Sequence, residues 1–114
     1  MKLSIVIPAH NEEENIVEVI DRIGEILGLD YELIIVNDHS TDRTKDLVQG
    51  LLGKYPNLRL VENPESGCFA NAIKAGFSNI STDVVVPVMA DLCDDLQTIN
   101  LMYNKIMEGY DVVC

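Results

Sequence analysis

Short apolar runs alternate along this chain with longer segments in which apolar residues recur every three or four positions. Short runs rich in β-branched residues are typical of buried strands, and the longer recurrence is typical of one face of a helix. The sequence predicts four strands and the start of a fifth, at residues 3–7, 31–36, 58–61, 83–88 and 111–114.

Polar residues that favour helix ends divide the intervening segments into four predicted helices. Asn11 is expected to cap the first helix, whose first turn holds three glutamates, because its side chain can accept from the free N–H groups there. Ser40 or Thr41 is expected to cap the second helix, and Asp94 or Asp95 the fourth. The four helices are expected to end near Gly28, Gly53, Phe77 and Gly109.

Strands that alternate with helices over short connections form right-handed βαβ units. The sequence therefore predicts an α/β protein with a Rossmann-like, mostly parallel sheet and helices on both faces. Pro87 has no backbone N–H to offer a ladder bond, so an irregularity is expected in the fourth strand.

The chain is long enough for one compact domain with a core of its own. Its 114 residues, 47% hydrophobic and 24% charged, are typical of a globular protein and too few for two domains. Residues 1–114 are therefore expected to form a single α/β domain. Val112 and Val113 lead to Cys114 without a cap or a turn, which favours a domain truncated from a longer protein.

The formal net charge of −11 argues against nucleic acid and anionic membrane surfaces as partners, because both attract Lys and Arg. An acidic protein that binds a phosphorylated ligand usually needs a cation between them. No apolar run approaches the roughly 20 residues of a membrane span.

The three cysteines are odd in number and lack C-x-x-C spacing, so free thiols in a reducing, cytoplasmic location are expected.

Polar residues are concentrated where the predicted strands end. Open parallel sheets bind ligands beyond the carboxyl ends of their strands, and there the sequence has PAHNEE, NDHSTD, NPESG and MADLCDD. A carboxylate at Asp38 can accept from N–H or hydroxyl groups of a ligand. Asp91 follows Ala90, whose small side chain permits close approach, and with Asp94 and Asp95 it could supply oxygens to Mg²⁺ or Mn²⁺. Helix capping is the structural alternative, favoured for Asp95 and less so for Asp38.

Several common motifs are missing from the sequence. It has no G-x-G-x-x-G after the first strand, no G-x-x-x-x-G-K-[ST] and no G-x-S-x-G. These gaps argue against a dinucleotide fingerprint, a P-loop and a hydrolase elbow. The first strand ends in Ile7, Pro8 and Ala9 without an Asp nucleophile, which argues against transfer through an aspartyl phosphate.

Four segments in order resemble the nucleotide-binding half of a family 2, GT-A glycosyltransferase. They are LSIVIPAHNEEENI, YELIIVNDHSTDRT, GCFANAIKAGF and DVVVPVMADLCDD, and the last occupies the place of the family's D-x-D motif. The resemblance spans essentially the whole chain and is nearest to dolichol-phosphate mannosyltransferase-like and other polyprenyl-linked enzymes. It implies a sheet with strand order 3-2-1-4.

The resemblance also implies a function. The domain would bind a nucleotide-diphosphate sugar with Mg²⁺ or Mn²⁺, for transfer of the sugar to an acceptor such as a polyprenyl phosphate or a glycan. The acceptor site and catalytic base would lie outside residues 1–114, and the full-length protein would work at the cytoplasmic membrane face. The residues implied to bind the nucleotide are Pro8, Ala9, Glu12, Asp38 and Ala90, and the implied metal ligand is Asp91.

Four residues depart from the family pattern; Cys68 and Ala70 stand where glycines are common, and the other two concern ligand binding directly. Asn37 replaces the first Asp of the usual pair, and Met89 replaces the first Asp of D-x-D, which leaves Asp91 as the sure carboxylate at the metal. The departure at Met89 favours an alternative function, a non-catalytic nucleotide-binding module. A receiver-like signalling domain would need an Asp pair after the first strand, which the sequence lacks. An unfinished sheet with an exposed edge would favour a homo-oligomer.

Overall fold

The computed structural model of the chain describes residues 3–26, 31–65, 69–82 and 84–88. Strands and helices alternate along this part of the chain, and none of these helices is long and apolar enough to cross a membrane. The predicted fourth helix and fifth strand lie outside the described residues. The strands are β1 (Leu3–Ala9), β2 (Tyr31–Asn37), β3 (Leu58–Glu62) and β4 (Val84–Pro87), and the helices are α1 (Ile16–Ile26), α2 (Thr44–Leu51) and α3 (Phe69–Phe77).

The four strands form one parallel sheet in the order β3-β2-β1-β4. β1 pairs with β2 from Leu3 opposite Tyr31 to Ala9 opposite Asn37, and β3 continues this alignment with Glu62 opposite Asn37. The predicted α/β class, parallel sheet and strand order are confirmed. Because β1, β2 and β3 end side by side, the loops that follow them meet at one edge of the sheet.

One face of the sheet carries the larger part of the core. Alternate residues of a strand point to the same face, so β1 and β2 present an apolar row there. α1 and α2 pack on this row, and α1 does so with residues at helical spacing. The buried residues of this cluster are Leu3, Ile5, Ile7, Ala9, Ile16, Val19, Ile20, Ile23, Leu33, Ile35, Val48, Leu58 and Val88.

The other face is covered by α3, which lies close to the sheet. Ala72 belongs to a buried cluster with Val6, Ile34 and Val36. The approach depends on Gly76, where an added Cβ would stand 2.3 Å from Cγ1 of Val6 and 3.0 Å from Cγ2 of Val36. A larger residue at this position would push α3 away from the sheet.

A buried carboxylate lies near the amino ends of the strands. Glu32 accepts from the Ser4 hydroxyl at 2.7 Å and from the Ser81 N–H and hydroxyl at 2.8 and 2.7 Å. The Arg59 guanidinium lies 3.9 Å from its second oxygen. Burial alone would raise the pKa of the Glu32 carboxyl, but these partners outweigh burial and hold the pKa below its ordinary value. The ionised side chain thereby ties the loop after α3 to the sheet.

The helices after the first two strands begin later than predicted, because the expected caps have other partners. α1 begins at Ile16 and α2 at Thr44. Asn11 has a φ of 53° and its side-chain oxygen accepts from the N–H of Thr41 in the neighbouring loop. At the start of α2 the N-cap residue Arg43 makes no side-chain cap bond, and the Thr44 N–H donates to Asp42 at 2.9 Å. The expected caps at Asn11, and at Ser40 or Thr41, are therefore wrong.

The ladder between β1 and β4 runs regularly through Pro87, so no irregularity appears at that position. Pro87 lies opposite Val6, and the Val88 N–H donates to the Val6 carbonyl at 2.9 Å. In this register the nitrogen of Pro87 faces away from β1, and its missing N–H removes no bond of that ladder.

Candidate functional site

Backbone hydrogen bonds continue the sheet into the loops at the carboxyl ends of β1, β2 and β3. The Asp38 N–H donates to the Ala9 carbonyl at 2.8 Å, and the Asn63 N–H donates to the Asn37 carbonyl at 3.1 Å. The first residues after these strands are therefore held at a fixed spacing. They lie at the edge where open parallel sheets bind ligands.

Asp38 is a buried carboxylate at this edge, with 8% of the residue exposed. Its Oδ1 accepts from the side-chain amide of Asn63 at 2.9 Å, and its backbone carbonyl accepts from Nδ1 of His10 at 2.7 Å. Within the described ranges no residue donates to Oδ2. A buried carboxylate oxygen normally has a hydrogen-bond partner, so Oδ2 can accept from a ligand or from a residue outside the described ranges.

The loop after β1 is bonded directly to the loop after β2. The Asn11 N–H donates to the Ser40 hydroxyl oxygen at 3.0 Å, and the Ser40 hydroxyl donates to the Ala9 carbonyl at 3.3 Å. Asn11 in turn accepts from the Thr41 N–H at 2.8 Å. The left-handed backbone of Asn11 is held by these bonds, and Asn tolerates that conformation better than most residues.

Further along, the same two loops are joined by a second set of bonds. The Glu12 N–H donates to the Thr44 hydroxyl oxygen at 2.8 Å. The Glu13 N–H donates to Asp42 at 3.2 Å, and the Arg43 N–H donates back to the Glu13 carboxylate at 3.2 Å. Desolvation would raise the pKa of the Asp42 carboxyl, but hydrogen bonds from Thr44 and Glu13 lower it below its ordinary value. The bonded pair of loops, residues 10–15 and 39–44, is called the double loop below.

Asn37 and Glu62 form a polar pair at the ends of β2 and β3. The Asn37 amide donates to Glu62 Oε2 at 2.8 Å, and the Asn37 side-chain oxygen accepts from the Ser40 N–H at 3.2 Å. Lys45 Nζ lies 3.1 Å from the other oxygen of Glu62. An aspartate at position 37 could accept from the Ser40 N–H but could not donate to Glu62, because a carboxylate has no proton to donate.

The loop after β3 is joined to the double loop by His39. This residue has a φ of 55°, and its Nε2 lies 2.6 Å from the Glu65 carbonyl, which can only accept, so Nε2 carries the proton. All three loops at this edge are therefore connected to one another.

The described residues of the predicted site lie together at this edge. Pro8 and Ala9 are the last residues of β1, Asp38 is bonded to Ala9, and Glu12 lies in the double loop. No hydrogen bond joins Glu12 to Asp38 in the described ranges. Their roles toward a ligand stay predictions. Ala90 and Asp91 lie outside the described residues.

Asn63 is part of this site, although the sequence reasoning did not single it out. It is buried, with 4% of the residue exposed, and it is bonded to Asp38. Its position in the sequence could have indicated this role, because Asn63 follows the third apolar run as Asp38 follows the second. Only the strand register brings the two positions side by side.

A metal site is not formed by the described residues alone. Among them no group of three or more His, Cys, Asp or Glu side chains is placed to hold a metal ion. The edge does offer carboxylate oxygens, which are the ligands that Mg²⁺ and Mn²⁺ prefer. A cation here would therefore need further oxygens, from Asp91 or from the ligand itself.

The sequence was compared with families and individual proteins. The model of the family described as "Glycosyl transferase family 2" matches residues 4–114. The dolichol-phosphate mannosyltransferase of Pyrococcus furiosus is 37% identical over 113 residues, which are 98% of this chain and 32% of that protein. The undecaprenyl-phosphate 4-deoxy-4-formamido-L-arabinose transferase of an Enterobacter species is 38% identical over 118 residues, covering 98% of this chain and 36% of that protein. The chain thus spans about a third of the length of these relatives.

Solved structures have the same fold. Glucosyl-3-phosphoglycerate synthase from Mycobacterium tuberculosis, in complex with Mn²⁺, UDP and glucosyl-3-phosphoglycerate, has a TM-score of 0.77 and 25% identity, over 95% of this chain and 40% of that one. TarS from S. aureus has a TM-score of 0.78 and 23% identity, over 95% of this chain and 33% of that one.

Proposed function

This chain belongs to glycosyl transferase family 2, and on that premise we propose that it is the donor-binding part of a glycosyltransferase. Its ligand is a nucleotide-diphosphate sugar, bound across the carboxyl ends of β1 and β2. The single observation that carries the proposal is the buried Asp38 carboxylate, whose Oδ2 accepts from no residue in the described ranges. The base and the ribose of a nucleotide both offer the N–H or hydroxyl donors that this oxygen requires.

The surroundings of Asp38 support a nucleotide rather than a bare anion. Hydrogen bonds fix the backbone beside Asp38, both to Ala9 and within the double loop. Pro8, Ala9 and Glu12 lie in these fixed segments and would contact the base and ribose. The chain's net charge of −11 repels a phosphate group that arrives without a cation. UDP is the nucleotide in the complex of the M. tuberculosis synthase, and it is the first ligand to test.

The proposal includes a divalent cation, Mg²⁺ or Mn²⁺. Asp91 would contribute a carboxylate oxygen, with Ala90 leaving room for the diphosphate, and the diphosphate would complete the set of oxygens. When bound, the cation would neutralise the negative charge on the departing nucleoside diphosphate. The M. tuberculosis synthase was crystallised with Mn²⁺, which supports this choice of metal.

The acceptor belongs to the proposal as well. Two relatives have names that refer to dolichol phosphate and undecaprenyl phosphate. A polyprenyl phosphate is therefore the acceptor we favour, ahead of a glycan, and it would bring the whole protein to a membrane face. The residues that bind the acceptor and remove its proton would come from the rest of that longer protein.

The proposal is tested by titrating UDP, GDP and dTDP into the chain with and without Mn²⁺ in a calorimeter. We expect binding with Mn²⁺, and Asp38→Ala should weaken it by about 1.5–3 kcal/mol, the range for hydrogen bonds to a charged group. Asp46→Ala is the matched control, because it removes the same group from an exposed position in the first turn of α2. Equal affinity of parent and Asp38→Ala for every nucleotide would remove Asp38 from the site.

A non-catalytic nucleotide-binding module is the second candidate, and Met89 in place of an Asp favours it. Both candidates predict that the 114-residue chain binds a nucleotide sugar without transferring it. They differ for the longer protein, which should transfer the sugar to a polyprenyl phosphate only if it is an enzyme. Turnover by the 114-residue chain itself would contradict the assignment of the acceptor site to other residues.

A further inference from the structure

Asn63 is the one side chain in the described ranges that donates to the Asp38 carboxylate, at 2.9 Å from Oδ1. We infer that Asn63 is a positioning residue for nucleotide binding, holding Oδ1 of Asp38 so that Oδ2 is left for the ligand. This inference rests on the proposed function, because it concerns a residue that acts through Asp38.

The orientation of the Asn63 amide is set by two different partners. Its nitrogen donates to Asp38, and its oxygen accepts from the Glu65 N–H at 3.1 Å. An amide turned over would place oxygen against carboxylate and nitrogen against an N–H group. Asn63 therefore has one stable orientation, and its own backbone is fixed by the bond from its N–H to the Asn37 carbonyl.

The backbone of Asp38 is fixed by other contacts, which leave its side chain to Asn63. The Asp38 N–H is bonded to Ala9, and its carbonyl is bonded to His10. Neither bond restricts rotation of the carboxylate about its side-chain torsions. Among the described residues, the contact from Asn63 alone selects an orientation of the Asp38 carboxylate. A carboxylate held before the ligand arrives loses less conformational entropy on binding.

Replacement of Asn63 by aspartate separates the two functions of the amide. Asn63→Asp keeps an oxygen for the Glu65 N–H, so the turn after β3 is preserved. It removes the donor to Asp38 and places a second carboxylate beside it. Asn57→Asp is the matched control, since Asn57 lies at the opposite end of β3, donates to the Tyr31 carbonyl at 3.0 Å, and receives the same change of charge.

The experiment is a double-mutant cycle on UDP binding in the presence of Mn²⁺. Asn63→Asp should weaken binding about 5- to 20-fold in the parent, and less than about twofold in the Asp38→Ala background, because it then has nothing to position. Asn57→Asp should change affinity less than twofold in both backgrounds. Circular dichroism verifies that each variant is folded, and Asn63→Ala replaces Asn63→Asp in the cycle if the aspartate variant does not fold.

The pH dependence of UDP affinity adds a measurement that a purely structural role of Asn63 would not change. Two adjacent carboxylates share a proton more readily than either does alone, and the shared proton restores a donor between them. The affinity deficit of Asn63→Asp relative to the parent should therefore shrink as the pH falls from 8 to 5.

The outcomes separate this inference from the proposed function. If Asp38→Ala has no effect on UDP affinity, the proposed site is wrong and the inference falls with it. If Asp38→Ala weakens binding but Asn63→Asp does not, the site stands and the inference is overturned. The inference is also overturned if Asn63→Asp weakens binding equally in both backgrounds, or if its deficit stays the same from pH 8 to pH 5.

Discussion

Substitution of Asn37 by aspartate would give this chain the first Asp of the family's usual pair, and we expect it to destabilise the fold. Asn37 is 5% exposed, and its amide donates to Glu62 Oε2 at 2.8 Å. Aspartate would replace that hydrogen bond with two carboxylates in contact. The bond from the Ser40 N–H to the side-chain oxygen at position 37 would survive the change.

The size of the effect follows from these contacts. Loss of a hydrogen bond to a charged group costs about 1.5–3 kcal/mol. Repulsion between two carboxylates about 4 Å apart would add up to about 4 kcal/mol near a protein surface. However, the Glu62 side chain is 51% exposed and can rotate into solvent, and Lys45 remains beside it at 3.1 Å. We therefore expect a loss of about 2–3 kcal/mol in the free energy of unfolding at pH 7.

The loss should depend on pH with a definite sign. Repulsion raises the pKa of the carboxyl pair in the folded variant above the value of about 4 in the unfolded chain. The folded state then binds the proton more tightly, so the penalty is fully present above the raised pKa and disappears as the pH falls below about 4.

The assay is urea unfolding of the parent, Asn37→Asp, Glu62→Gln and the double variant at pH 7 and pH 4. The glutamine of the double variant can donate to the new aspartate, so Glu62→Gln should recover most of the loss in that background. An Asn37→Asp variant as stable as the parent at pH 7 would refute the reasoning. So would a loss that Glu62→Gln leaves unchanged.

Three further predictions concern packing, acid stability and the metal. Gly76→Ala should lower the free energy of unfolding by about 1–3 kcal/mol in urea titrations, because the added methyl group overlaps side chains of the sheet. Gly50→Ala is the control. Gly50 lies in α2 with no described atom within 4 Å of an added Cβ, so this change should be neutral or stabilising. The lowered pKa of Glu32 contributes stability above the unfolded value near 4.5, which is lost as the pH falls through the folded pKa; Glu32→Gln should be less stable than the parent at pH 7, and the gap should narrow below pH 4.5 in thermal melts. For the metal, Met89→Asp should raise the affinity for Mn²⁺ in the absence of nucleotide, and Asp91→Asn should abolish the effect of Mn²⁺ on nucleotide binding. Both are measured by calorimetric titration. If Asp91→Asn retains the effect of Mn²⁺, the segment MADLCDD is a helix cap and not a metal site.

The fold could be predicted because its determinants are local in the sequence. Each strand is an apolar run, and each described helix after it has apolar residues at helical spacing, so the α/β class followed from order and length alone. α3 ends at Phe77, as predicted. The starts of α1 and α2 were wrong because Asn11 and its neighbours satisfy the backbone of another loop, a partner that no local pattern identifies.

The site was predicted less completely, for the same physical reason. Asp38 could be singled out because a carboxylate directly after a buried strand is unusual in itself. Asn63 was included only as part of the segment NPESG, and the pairing of Asn37 with Glu62 was not predicted, since both roles depend on the register between β2 and β3. Residues whose importance lies in what they contact across strands are visible only once the strands are aligned.

The bonds within the double loop have a consequence for attempts to engineer this protein. Thr44 and Asp42 accept from backbone N–H groups of the first loop, and Glu13 accepts from a backbone N–H group of the second. Each loop therefore supplies hydrogen-bond acceptors that the other loop needs. A graft that replaces residues 10–15 alone would remove the acceptors Asn11 and Glu13 from the N–H groups of Thr41 and Arg43. The two loops would therefore have to be transplanted together, with residues 10–15 and 39–44 taken from the same parent.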